Sequence, residues 1–248
     1  MPTACVRFYE ELNDFLPKDK RKMQLLVSIA EGATAKAIVE KLGVPHPEID
    51  LVLVNGESVA FDYKLADGDR MSVYPVFEAF DISHVSKVRP EPLRTPRFVL
   101  DVHLGKLSVL LRMLGLDALY CNTFTDQRLS QICEQENRIL LTRDRSLLMR
   151  NTVRHGYCVR SPHPYEQVVE VVRRLDLPAK CSPFTRCLRC NKKLAESAEE
   201  NLRDRLPEFV RQHYSHFREC PLCGHIYWRG SHWQRMNAFV EKLGLPRG

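Results

Sequence analysis

Residues 97–160 read RFVLDVHLGKLSVLLRMLGLDALYCNTFTDQRLSQICEQENRILLTRDRSLLMRNTVRHGYCVR, and their rhythm decides the fold. Short apolar runs at RFVLD (97–101), DALYC (117–121), RILLT (138–142) and HGYCVR (155–160) alternate with stretches of helical period at 104–114, 127–137 and 145–150. Strands separated by helices in this way read as an α/β fold with a parallel sheet covered by helices. A last helix is expected from Pro164 to Leu175, where Val168, Val169, Val171 and Val172 supply an apolar face.

In open α/β sheets, ligands collect beyond the carboxyl ends of the strands. Three aspartates fall there: Asp101 closes RFVLD, Asp126 opens the helix after DALYC, and Asp144 follows RILLT. Gathered at one rim, three anions would repel one another, and a divalent cation such as Mg²⁺ or Mn²⁺ would offset that repulsion. Such an ion can activate water and neutralise charge on a phosphodiester. The competing reading is local, because Asp126 and Asp144 each precede a helix and aspartate is a favoured N-cap. Lys106 and Arg112 flank the apolar face of the first helix, while Arg143 and Arg145 bracket Asp144. All four are candidate contacts to a scissile phosphate, although Lys106 and Arg112 also read as ordinary solvated positions. No fourth carboxylate is evident close after Asp144, since Arg145 and Ser146 come next, and Asp117 sits at the opposite end of its strand.

Working outward, Pro90, Pro92 and Pro96 stand among basic residues, so residues 86–96 read as an extended linker. Residues 1–85 before it hold apolar runs at 6–12 and 23–29, an amphipathic helix over 34–43, and strands at 51–54 and 71–76 around the turn signals Asn55-Gly56 and Asp67-Gly68-Asp69. They form a small α+β unit. Beyond the central domain, Cys187-Leu-Arg-Cys190 and Cys220-Pro-Leu-Cys223 are two knuckles of the spacing that grips one tetrahedral Zn²⁺. Redox chemistry is the weaker reading of two paired knuckles in a short tail. The 29 residues between them imply an inserted helix around Ala195 to Gln212. Trp228 and Arg229, in an aromatic and basic tail, are candidates to stack nucleic-acid bases and contact phosphates, with packing of the ribbon as the alternative. Cys181 is a spare, and Cys5, Cys121, Cys133 and Cys158 read as packing residues.

The net charge of +6 is uneven: residues 1–86 carry −5, residues 87–180 carry +6 and residues 181–248 carry +5. The basic two-thirds suit a polyanion such as nucleic acid. Glycine numbers only 11, and neither GxGxxG nor a P-loop occurs, which removes the main support for nucleotide-driven chemistry. No apolar run reaches the roughly 18 residues of a membrane span, and the start has no secretory pattern, so a cytoplasmic, reducing setting is the expectation.

The run from RFVLD to SLLMR closely resembles the PIN-like RNase family known as the Mut-seven C-terminal domain. CLRCNKKL and ECPLCGHIYWRGSHWQRM resemble the zinc ribbon that this family appends, extending the likeness to about residue 236. The resemblance implies a PIN-like fold and metal-dependent RNA cleavage, with Asp101, Asp126 and Asp144 as the family's acidic positions. PIN nucleases commonly use four acidic residues, and the fourth is not evident here. EGAT, VLVNGESV and LADGDRMSVYPV resemble the ubiquitin-like β-grasp sulfur carriers over about residues 4–80. Those carriers act through a free terminal Gly-Gly, whereas here YPVFEAF runs on, so the likeness implies the fold and a docking role toward a protein partner. The expected organisation is a ubiquitin-like domain (1–85), a linker (86–96), a PIN-like nuclease domain (97–180) and a zinc ribbon with its tail (181–248). The expected function is a ribonuclease holding structural Zn and catalytic Mg or Mn, acting on single-stranded RNA. The rival is a non-catalytic RNA-binding or ribosome-associated adaptor with a degraded site.

Overall fold

The computed structural model describes residues 1–76, 82, 84–88 and 95–245. Pro90 and Pro92 of the expected linker lie outside the described residues. The chain forms two compact units, Met1–Thr95 with Phe124–Val159, and Pro96–Thr123 with Arg160–Gly248.

The first unit begins with β1 (Thr3–Phe8), β2 (Gln24–Ser28), α1 (Ala35–Lys41), β3 (Ile49–Val54), β4 (Glu57–Ser58) and β5 (Arg70–Pro75). Their sheet runs in the order β2-β1-β5-β3-β4, with β1 parallel to β5 and the other pairs antiparallel. Strict alternation in β1 buries Ala4, Val6 and Phe8 on one face, as a half-buried strand requires. Thr34 caps α1 by accepting the Ala37 N–H at 3.2 Å, and the helix buries Ala35, Ile38 and Val39. Asn55-Gly56 turns β3 into β4 with φ of 52° and 91°, the left-handed pair that a two-residue hairpin demands. This mixed sheet with one helix across it is the expected β-grasp arrangement.

In chain order the second unit then contributes β6 (Arg97–Leu100), α2 (Gly105–Met113) and β7 (Asp117–Leu119), with β6 parallel to β7. The first unit resumes with α3 (Asp126–Glu136), β8 (Ile139–Thr142), α4 (Arg145–Leu148) and β9 (Gly156–Cys158), with β8 parallel to β9. All four residues of β8 are buried, which accounts for its unbroken apolar sequence. Within that unit the β-grasp segment packs on these elements: His46 Nε2 meets the Val153 carbonyl at 2.9 Å, and Glu48 accepts the Cys158 N–H.

The second unit closes with α5 (Pro164–Arg174), which packs on α2, then β10 (Ala195–Ser197), α6 (Glu208–His213), β11 (Phe217–Glu219), β12 (Ile226–Trp228) and α7 (Ser231–Lys242). Strands β10, β11 and β12 form an antiparallel sheet. The single helix expected over Ala195 to Gln212 is therefore corrected. Its first residues pair with β11, Glu199–Arg205 is a 3-10 segment, and Pro207 delays the α-helix until Glu208. Leu202, Leu206, Val210 and Phe217 form a small core there, with Tyr214, Ile226 and Trp228 packed against it. The α/β reading with parallel pairing stands, and no helix among the described residues is long and apolar enough to cross a membrane.

Candidate functional site

The four knuckle cysteines come together within the second unit. All four sulfurs lie within 4.8 Å of one another, with Cys187 and Cys223 at 3.6 Å and Cys190 and Cys220 at 3.3 Å. Four thiolates about 2.3 Å from a tetrahedral Zn²⁺ would stand about 3.8 Å apart, so the group fits that ion. The two knuckles share one backbone solution. The residue four places after the first cysteine, Asn191 or Gly224, takes φ of 68° or 69° and sends its N–H to that cysteine's carbonyl at 3.0 or 2.9 Å. Leu188 N–H donates to the Tyr227 oxygen at 3.0 Å, which leaves the hydroxyl hydrogen to point at Cys187 Sγ, 3.2 Å away. Burial pushes the Cys187 thiol up, but the Tyr227 hydroxyl and the Cys190 and Arg189 backbone N–H groups outweigh it and bring the pKa down to about 6. Cys181 is buried, and burial alone raises its thiol to about 11. Cys133 and Cys158 are buried as expected, whereas Cys5 and Cys121 are only half-buried.

Side chains flanking the first knuckle hold it to α2 and β7. Arg112 is only 4% exposed. Its Nε donates to the Ala118 carbonyl at 2.9 Å and its Nη1 to the Leu188 and Arg189 carbonyls at 3.0 and 2.9 Å. The guanidinium expected at a phosphate thus has another occupation, clamping the knuckle. Asn191 accepts the Ala118 N–H at 3.0 Å and donates to Asp117 at 2.8 Å, while Arg186 reaches Asp117 at 3.5 Å. Asp117, set aside in the sequence because of its place on the strand, is part of this seam. Gly115 allows the closest approach: at φ 81°, a Cβ there would fall 2.0 Å from the Ser182 carbonyl oxygen.

Asp126 and Asp144 belong to the first unit, and Arg150 faces both. Asp126 is the first residue of α3, but Thr125 is the cap, accepting the Arg128 N–H at 3.2 Å. Asp126 Oδ2 lies 3.5 Å from Arg150 Nη2. Asp144 caps α4, its Oδ1 accepting the Ser146 N–H at 2.8 Å and the Ser146 hydroxyl at 2.7 Å. Partial burial raises its pKa, yet the Ser146 hydroxyl and N–H, the Leu147 N–H and the Arg150 charge overcome this and hold the carboxyl below the ordinary range. Thr142 fixes the loop by accepting the Asp144 N–H at 2.9 Å. Arg145 turns back to the β-grasp segment, with Nη1 on the Phe15 carbonyl at 3.0 Å and its guanidinium 5.0 Å from the Phe15 ring centre. Arg143 is exposed. Sequence reasoning missed Arg150, which lies six residues past Asp144 and beyond the short α4, where no helical spacing pairs them.

Asp101 belongs to the second unit. It directly follows β6, is buried at 5% exposure, and accepts the His103 N–H at 2.8 Å as the N-cap of a 3-10 turn. Lys106 and Arg229 are exposed, and Trp228 is half-buried. Carboxylate oxygens are the donor type a hard cation takes, so the aspartates fit Mg²⁺ or Mn²⁺ in kind. Among the described residues, however, only the cysteines form a group of three or more ligand atoms within 4.8 Å.

A family model described as the Mut7-C RNase domain matches residues 96–240, and one described as Mut7-C ubiquitin matches residues 1–81. Two crystal structures of small archaeal modifier protein 1 from Haloferax volcanii are similar to this chain. They share 18% and 19% identity, cover 31% and 32% of this chain and 100% and 99% of their own, and each gives a TM-score of 0.26. No curated protein matches the chain significantly.

Proposed function

Because the chain belongs to the Mut7-C RNase domain family, preceded by a ubiquitin-like domain, we propose that it is a metal-dependent ribonuclease with Asp101, Asp126 and Asp144 as its catalytic carboxylates. The observation that carries this reading is the family match across residues 96–240. The placement of all three aspartates at a strand exit or a helix start supports it. Mg²⁺ or Mn²⁺ bound by these groups would activate water and neutralise charge on the phosphate. In hydrolysis the water oxygen bonds to phosphorus, the bond to the leaving sugar oxygen breaks, and that oxygen takes up a proton. Asp144, kept ionised by Ser146 and Arg150, suits the acceptor end of a hydrogen bond from the attacking water. Exposed Arg143 and Lys106 are proposed phosphate contacts, and Trp228 and Arg229 proposed contacts to a single strand. In this reading residues 1–85 dock a protein partner, residues 97–180 cleave and residues 181–248 grip, in the cytoplasm.

The helix-capping bonds of Asp101 and Asp144 favour a second reading, an RNA-binding adaptor without cleavage. Incubation of labelled single-stranded RNA with the zinc-loaded chain and Mn²⁺ separates the two. Cleavage that Asp144→Asn abolishes supports the ribonuclease. RNA left intact by the native chain, with only affinity changed by the substitution, establishes the adaptor.

A further inference from the structure

The second unit contains a cavity of about 940 Å³ beside the four cysteines, walled by β10–β12 and the start of α7. That is the upper end of the range for a ligand site. Its wall is aromatic: Phe184, His225, Trp228 and Trp233 all line it, each only half-buried. Trp233 is tilted against Phe184, ring centres 5.3 Å apart, and carries the Arg229 guanidinium 5.2 Å from its indole centre. Trp228 lies close against the backbone at Gly230, where a Cβ would come within 2.9 Å of its Nε1. The lining charge is positive on balance: the acidic member Glu196 is matched by Arg218 at 3.8 Å, while Arg189 and Arg229 also face the cavity. The first turn of α7 forms part of the wall, has no acidic residue, and has no side-chain cap at Gly230, an arrangement that favours an anion.

We propose that this cavity is a nucleobase pocket, taking an unstacked base of single-stranded RNA against Trp228, Trp233 and His225, with the adjoining phosphate toward Arg189, Arg229 and the start of α7. Stacking platforms flanked by cations bind single strands in this way, because every base has a π-face. The inference deepens the proposed function and takes from it only the choice of RNA as ligand. The pocket is built on the zinc knuckles: Tyr227, whose oxygen bonds the first knuckle, stands edge-on to His225 with ring centres 4.7 Å apart. Zinc held by the four cysteines would thereby fix the wall that meets the base.

The chain has two tryptophans and both line the cavity, so its tryptophan fluorescence reports this site. The zinc-loaded full-length Asp144→Asn protein is titrated with a short single-stranded oligoribonucleotide and with an abasic strand of the same length. The expected result is saturable quenching by the first and little by the second, with Trp233→Ala or His225→Ala weakening binding about tenfold. Zinc content and circular dichroism show that each variant is folded. Equal quenching by the abasic strand overturns the proposal, as does unchanged affinity in both folded variants. Native protein that quenches on base-bearing RNA but does not cleave it with Mn²⁺ sinks the ribonuclease reading and leaves the pocket standing. Cleavage without quenching does the reverse.

Discussion

The cysteines stand out by their spacing and the aspartates by their place after the apolar runs, and the structure treats the two sets differently. The knuckle thiols have no competing local role, and their backbone turns repeat, with Asn191 and Gly224 in the same left-handed conformation. Four sulfurs therefore converge within 4.8 Å. An aspartate before a helix always has a second use, and Asp101 and Asp144 take it, each accepting the N–H two residues on. A residue type with one chemical destiny can be placed from sequence. One with two destinies needs an experiment that separates them.

The largest effect should come from breaking the cysteine side. Zinc removal, or Cys220→Ser, forfeits metal binding that contributes on the order of 10 kcal/mol in small zinc modules. The β10–β12 region should then be cut rapidly in limited proteolysis; unchanged resistance would show that the sulfurs hold no structural metal. On the carboxylate side, asparagine caps a helix about as well as aspartate. Asp144→Asn should therefore leave the melting temperature nearly unchanged while cleavage falls by about 100-fold or more. A drop in stability with cleavage intact would reduce Asp144 to a cap. The seam that holds the first knuckle to α2 and β7 is probed by Gly115→Ala. At φ 81° with the Ser182 carbonyl 2.0 Å from the new Cβ, it should cost about 2 kcal/mol in denaturant unfolding. The smallest effect is expected at Arg145→Gln, which removes the cation over Phe15 and should cost about 0.5–1 kcal/mol; a loss of several kcal/mol would mean that Arg145 anchors the whole Asp144 loop.

Much of the fold was legible because it is local. The strand and helix at 97–113, the helix at 126–136 and the buried strand Ile139–Thr142 each follow from periodicity. The stretch Ala195 to Gln212 was not, since Ala195–Ser197 becomes a strand only by pairing with Phe217–Glu219, and no local signal carries that partnership. Arg112 shows the same limit. Its place beside the apolar face of the first helix suggested a phosphate contact or a solvated cation, and only the fold reveals the Ala118, Leu188 and Arg189 carbonyls waiting for it. Arg150 and Tyr227 were missed for that reason too, because their partners are set by tertiary placement rather than by spacing.

The proposed ribonuclease activity requires the three aspartates to serve a hard cation. Crystals of the zinc-loaded chain soaked in Mn²⁺, with anomalous scattering used to locate the ion, test it most directly. A manganese peak bound by Asp101, Asp126 and Asp144, and lost in Asp144→Asn, is the expected result. Saturating Mn²⁺ with no peak at these carboxylates, Asp101 and Asp144 still capping their helices and Asp126 still against Arg150, would contradict it.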